Sequence, residues 1–163
     1  MNQQLSAKMP TAGLKLSLAL MLALLIVPAY VVAPVLFAEL TSAQAGLIAG
    51  KIFHVSNLAF LILCVAAALF ARRLGVTKAT WYLLLAVTLM VAINVFAVST
   101  MMTMIKTEAG DISLLSKEEP LRWAFAFWHG LGSILQLLTS ILVVTLVMKN
   151  HQKVPDTSEL TAG

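Results

Sequence analysis

Four stretches of this chain contain no Asp, Glu, Lys or Arg at all: Leu16 to Ala38, Ile52 to Ala71, Ala79 to Ile105 and Trp123 to Met148. A helix rises about 1.5 Å per residue, so each stretch is long enough to cross the roughly 30 Å of hydrocarbon in a bilayer. The third, with 27 residues, would measure about 40 Å and must tilt or protrude. The pattern predicts an all-α integral membrane protein, an antiparallel four-helix bundle running up-down-up-down, because connections this short make sequential helices neighbours. Residues 1–15 form a polar N-terminus, residues 16–148 a single four-span domain, and residues 149–163 a polar tail with Pro155, expected to be disordered.

The breaks in the pattern carry their own expectations. Pro28 and Pro34 lie inside the first span, where each removes a backbone donor and kinks the helix. Glu39 to Lys51 reads as a short connection, with Thr41 or Ser42 placed to cap the second helix. Gly46 and Gly50 form a small-xxx-small pair suited to close helix contact. Arg72 to Thr77, with Gly75, makes a tight basic turn, and Trp81 and Tyr82 anchor the third span at the interface. Met90, Asn94, Ala97, Met101 and Met104 align on one face of a regular helix. The longest loop is Lys106 to Arg122, with the acids Glu108, Asp111, Glu118 and Glu119.

Charge changes the picture in one respect, which is orientation. Lys8, Lys15, Arg72, Arg73, Lys78, Lys149 and Lys153 lie on one side of a four-span bundle, and Lys51, Lys106, Lys117 and Arg122 on the other. Seven against four places both termini in the cytoplasm and the acidic third loop outside. The net charge of +4 comes from single residues and pairs beside apolar runs, not from a stripe that would bind nucleic acid. A secretory signal is the rival reading of the N-terminus, with Ala43-Gln44-Ala45 as its cleavage site, but the apolar run exceeds the usual 7 to 15 residues. With 60% hydrophobic and 11% charged residues, the chain departs from the soluble norm of about 25% charged. The multi-pass topology points to a bacterial inner membrane. Cys64 has no second cysteine to pair with.

Candidate chemistry is confined to a few polar residues inside the spans. His129, Gly132, Ser133, Gln136 and Ser140 fall within about 100° of arc on one helical face. Polar groups in hydrocarbon are costly unless paired, so Asn94, His129, Ser133 and Gln136 are expected to face inward and meet. Lys51, His54 and Asn57 share a broad face of the second helix, with Lys51 at the outer mouth. His129, Asn94, Lys51, Ser133, Gln136 and Asn57 are therefore the candidate ligand-binding set for a solute or ion. His54, His129, Met101 and Met104 stand at one depth and form a candidate set for haem iron or copper. A third reading takes the polar stripe as glue between helices, as most polar residues in spans are. The lipid bilayer is the one partner the pattern names. Phosphate loops, cysteine pairs, nucleophile elbows and paired intramembrane carboxylates are absent, which argues against a standard enzyme.

Four motifs, taken in order and spacing, carry a resemblance: Val31-Val32-Ala33-Pro34-Val35-Leu36-Phe37-Ala38; Ala45-Gly46 through Lys51-Ile52-Phe53; Asn94 followed by Met104 and Glu108; and His129-Gly130 with Ser133 and Gln136. Over about Leu16 to Met148 the chain resembles the small four-helix membrane family of unknown function related to transmembrane protein 205. That family usually has a proline about a turn and a half after the asparagine, where Ser99-Thr100 stands here. It commonly has Ser and Asn near Gly132 or Ser133 and at Gln136. His54 and the methionines are not part of its pattern. The resemblance implies a membrane protein with no established activity.

Overall fold

The apolar runs fold as helices that extend past them at both ends. Our computed structural model describes residues 2–116 and 118–151. Helix α1 comprises Asn2–Ile26, a π-helical turn Val27–Val32, and Ala33–Glu39. Helix α2 is Ser42–Leu74. Helix α3 comprises Lys78–Ile93, a π-helical turn Asn94–Val98, and Ser99–Ala109. A single 3-10 turn, Ile112–Leu114, precedes α4, Pro120–His151. The described residues contain helices and no strands, and four of the helices are long and apolar enough to cross a membrane. The expected tail lies mostly outside the described residues.

Local chemistry sets the boundaries. Thr41 caps α2, its hydroxyl accepting from the Gln44 N–H at 3.4 Å, so the connection from α1 is two residues and not the expected Glu39 to Lys51. Gly75 ends α2 at φ 57°, a left-handed conformation that a side chain would strain, and its N–H returns to the Ala71 and Arg72 carbonyls. Arg72 and Arg73 sit in that last turn, where cations complement the helix dipole. Thr77 caps α3 in the same way as Thr41 caps α2.

Both π-turns lie within spans. Pro28, which has no N–H to give, is absorbed by the first, and the Ala33 N–H reaches back to the Pro28 carbonyl. The second has a consequence for the methionines. One residue inserted into the helical ladder rotates the remainder of the helix by about 100°, so Met90, Asn94 and Met104 no longer share a face. Asn94 is half-buried, whereas Ala97, Met101 and Met104 are exposed.

The core is uneven along the bundle. Leu14, Leu18, Met21 and Leu25 of α1 meet Phe60, Cys64, Ala67 and Ala71 of α2, Leu84, Val87, Val91 and Val95 of α3, and Val143 and Leu146 of α4. Most lie in the halves that adjoin the start of α1, the α2 to α3 turn and the end of α4; Met21, Leu25 and Val95 stand at or just past mid-length, and Ala45, Ala49, Val98 and Ile105 are buried in the other halves. Near the start of α1 Gly13 permits the tightest approach, since the Phe70 ring occupies the space a Cβ would need. In the other halves helix-on-helix packing falls mainly into pairs, bridged by the 3-10 turn Ile112–Leu114, which packs on α2. Ala33–Glu39 packs on α2 and Ser99–Ala109 packs on α4, but contact of the former with α4 and of the latter with α2 is marginal at most. Leu16, Ile62, Val65, Leu85, Phe96, Ile134 and Ile141 are exposed around the bundle. Apolar surface on every side suits lipid and not water.

Candidate functional site

Two side chains tie the bundle together near its middle. Asn94, at the first position of the α3 π-turn, donates from Nδ2 to the Gly132 carbonyl of α4 at 3.2 Å. Gln136, one turn further along α4, donates from Nε2 to the Leu25 carbonyl of α1 at 3.4 Å. Both bonds end on backbone oxygens of another helix, which gives each amide a partner that lipid could not supply. Gly132 allows the approach: a Cβ there would stand 3.1 Å from Val98 Cγ1 and 3.7 Å from Asn94 Oδ1. Ser56 and Asn57 of α2 are buried as well.

His129 and Ser133 do not join them. Both are exposed on the bundle surface, and the Ser133 hydroxyl donates to the His129 carbonyl of its own helix at 2.9 Å. The expectation of a single inward stripe groups residues spread over about 100°, and the edge of such an arc lies outside the contact with neighbouring helices. The His129 imidazole instead lies flat on Phe125, with ring centroids 5.9 Å apart and planes inclined by 7°. Lys51 is exposed.

The side chain that enters the divided end is one that the sequence pattern assigns to a loop. Lys106, in the last turn of α3, is half-buried. Its Nζ donates to the Gly46 carbonyl of α2 at 3.3 Å and stands 5.6 Å from the centroid of the Phe125 ring of α4. Gly46 and Gly50 therefore do not mediate a contact between helix backbones. A Cβ at Gly46 would meet nothing within 4 Å, and one at Gly50 would meet only the Lys106 ammonium, at 4.0 Å. A lysine closing an apolar run opposite a Gly-xxx-Gly pair is the available signal. Its reading as loop charge comes from ending the span at Ile105, four residues before the helix ends.

A separate open groove of about 550 Å³ runs between α2 and α3, lined by His54, Val95, Ser99, Thr103, Met104 and Glu108 among others. It gathers His54 and Met104 of the candidate metal set; His129 and Met101 are not in its lining. No group of three or more His, Cys, Asp or Glu placed to hold a metal occurs among the described residues. The Thr103 hydroxyl donates to the Ser99 carbonyl and that of Thr107 to Thr103, so these hydroxyls satisfy themselves on their own helix.

The profile of a domain of unknown function, DUF4149, matches residues 16–111, more than half of the chain. The chain belongs to the DUF4149 family. The matched part takes in α1 from Leu16 onward and all of α2 and α3, including Asn57, Asn94, Lys106 and the groove. Helix α4, with His129 and Gln136, comes after the matched DUF4149 residues. No curated protein and no solved structure matches the chain.

Proposed function

We propose that this DUF4149 protein is an antiparallel four-helix bundle of the bacterial inner membrane, with both termini cytoplasmic, that binds a small solute or lipid headgroup at its divided, outward-facing end. The supporting observation is the asymmetry of packing. The larger core lies toward the termini, while in the opposite half the helices pack mainly as an α1/α2 pair and an α3/α4 pair, joined by the Lys106 ammonium and by the turn Ile112–Leu114 on α2. The antiparallel order is supported by register: Cys64 of α2 meets the Thr88 hydroxyl of α3, whereas Gly46, nearer the start of α2, meets Lys106, nearer the end of α3. The orientation comes from the distribution of Lys and Arg. The resemblance to the family related to transmembrane protein 205 belongs to the same reading and brings no activity with it.

A binding mouth must admit water at one end only. In a Cys64→Ala background, Gly46→Cys, beside the Lys106 ammonium, reports the divided half and Ala67→Cys the core. A water-soluble thiol reagent applied to intact cells should modify Gly46→Cys and leave Ala67→Cys untouched. Equal protection of both would show that the divided half is closed, and this function would fall.

Soft-metal binding is the second reading, favoured by His54 and Met104 sharing one groove. Metal analysis and an absorption spectrum of the purified protein, with His54→Ala as control, would test it. A metal retained by the wild type and lost in His54→Ala would support this reading; equal content in both would remove it.

A further inference from the structure

We propose that Lys106 is the receptor for an anionic headgroup, a phosphate or carboxylate, which enters between the two helix pairs; this rests on the divided end being a ligand mouth. An ammonium carries three N–H donors and no acceptor. Here it is held by one backbone carbonyl and the face of one aromatic ring, both of which offer only partial negative charge. In a half-buried position, where screening by water is reduced, a full anion is a much stronger partner than either.

Lysines in the last turn of a span ordinarily extend their stem outward to reach water. Lys106 instead crosses from α3 to α2, with its ammonium over the Phe125 ring of α4. Space adjoins the ammonium on the α2 side, where Gly50 would need a Cβ to come within 4.0 Å of Nζ and Gly46 leaves its own surround empty. The depth fits a headgroup too, because Lys106 is three residues from the end of its helix, about 5 Å along the axis.

The neighbouring charges are compatible with an anion. Glu108, two residues on, is turned about 200° around α3 from Lys106 and lines the other groove with His54. Lys51 is exposed one residue beyond Gly50. Arg122 of α4 is half-buried and donates to the Leu115 carbonyl in the connecting loop. His129 lies on the Phe125 ring whose face receives the ammonium.

The full-length protein in a nonionic detergent, titrated with phosphatidylglycerol, oleate and phosphatidylcholine and read by native mass spectrometry, tests this. Wild type should retain phosphatidylglycerol or oleate in preference to phosphatidylcholine. Lys106→Met should weaken that binding by about tenfold or more, the scale of one charge-assisted hydrogen bond. Lys106→Arg should keep it, and Gly50→Leu, which adds a side chain starting 4.0 Å from Nζ while sparing the lysine, should lose it. Competition by inorganic phosphate at comparable concentration would assign the same site to a soluble anion; lack of competition would assign it to lipid. The proposal is overturned if a folded Lys106→Met binds anionic lipid as the wild type does. Should Lys106→Met not fold, unchanged binding in Gly50→Leu overturns it instead. A modified Gly46→Cys with no anion preference in the wild type removes this inference alone, whereas a protected Gly46→Cys removes the mouth on which it depends.

Discussion

The Asn94 carboxamide reaches the Gly132 carbonyl at 3.2 Å because Gly132 has no side chain to hold α3 and α4 apart. The hydrogen bond and the close approach are separable by mutation. Asn94→Ala removes one interhelical bond, which in membrane proteins averages about 0.6 kcal/mol. Gly132→Leu drives a side chain into Val98, 3.1 Å from where its Cβ must stand, at about 1–3 kcal/mol. Melting temperatures in detergent should fall further for Gly132→Leu than for Asn94→Ala. The reverse order would mean that the polar contact, not the packing, joins these helices.

A second steric pair lies at the packed end. The Phe70 ring covers Gly13 so closely that a methyl group there would start 2.5 Å from Phe70 Cζ. Gly13→Ala should destabilise by about 1–3 kcal/mol unless the ring swings clear. Adding Phe70→Leu should recover part of the loss, giving a non-additive double mutant. Strict additivity of the two substitutions would show that they do not touch.

How the core is distributed predicts the outcome of truncating equal side chains. Phe60 is fully buried in a core to which all four helices contribute, and Phe96 is 68% exposed on the bundle surface. Phe60→Ala should cost about 3–5 kcal/mol, and Phe96→Ala less than about 1 kcal/mol. Thermal unfolding of both variants in the same detergent decides this. Similar losses would contradict the placement of the core.

His129 is the residue that sequence chemistry favours most, and its exposure changes what it should do. With its ring on Phe125 and not between helices, His129→Gln and His129→Leu should both stay within about 0.5 kcal/mol of wild type in stability. A drop in melting temperature for His129→Leu alone would indicate that the imidazole hydrogen-bonds another helix.

Much of the fold is legible in the sequence because hydrocarbon imposes a length and a composition on any helix that crosses it. The four spans, the cap at Thr41 and the turn at Gly75 all come from residue type and position. Two features are hidden for geometric reasons. The π-turn at Asn94–Val98 rotates the rest of α3, and a constant 100° per residue cannot foresee such a slip. Lys106 reads as loop charge because a charge ends an apolar run in sequence, while the helix continues to Ala109 and carries the ammonium inward. Asn94 and Gln136 are recognisable as polar residues in spans, but their backbone partners, Gly132 and Leu25, carry no mark in sequence. Only the packed structure specifies them.

In the proposed orientation the divided end, with Lys106, faces outward and the packed end faces the cytoplasm. Sided labelling of two connections tests it most directly. In a Cys64→Ala background, Val76→Cys marks the α2 to α3 turn beside the packed end, and Ser116→Cys marks the loop beside the divided end. A membrane-impermeant maleimide applied to intact cells should modify Ser116→Cys, and should modify Val76→Cys only after permeabilisation. Modification of Val76→Cys from outside, with Ser116→Cys protected, would contradict the account.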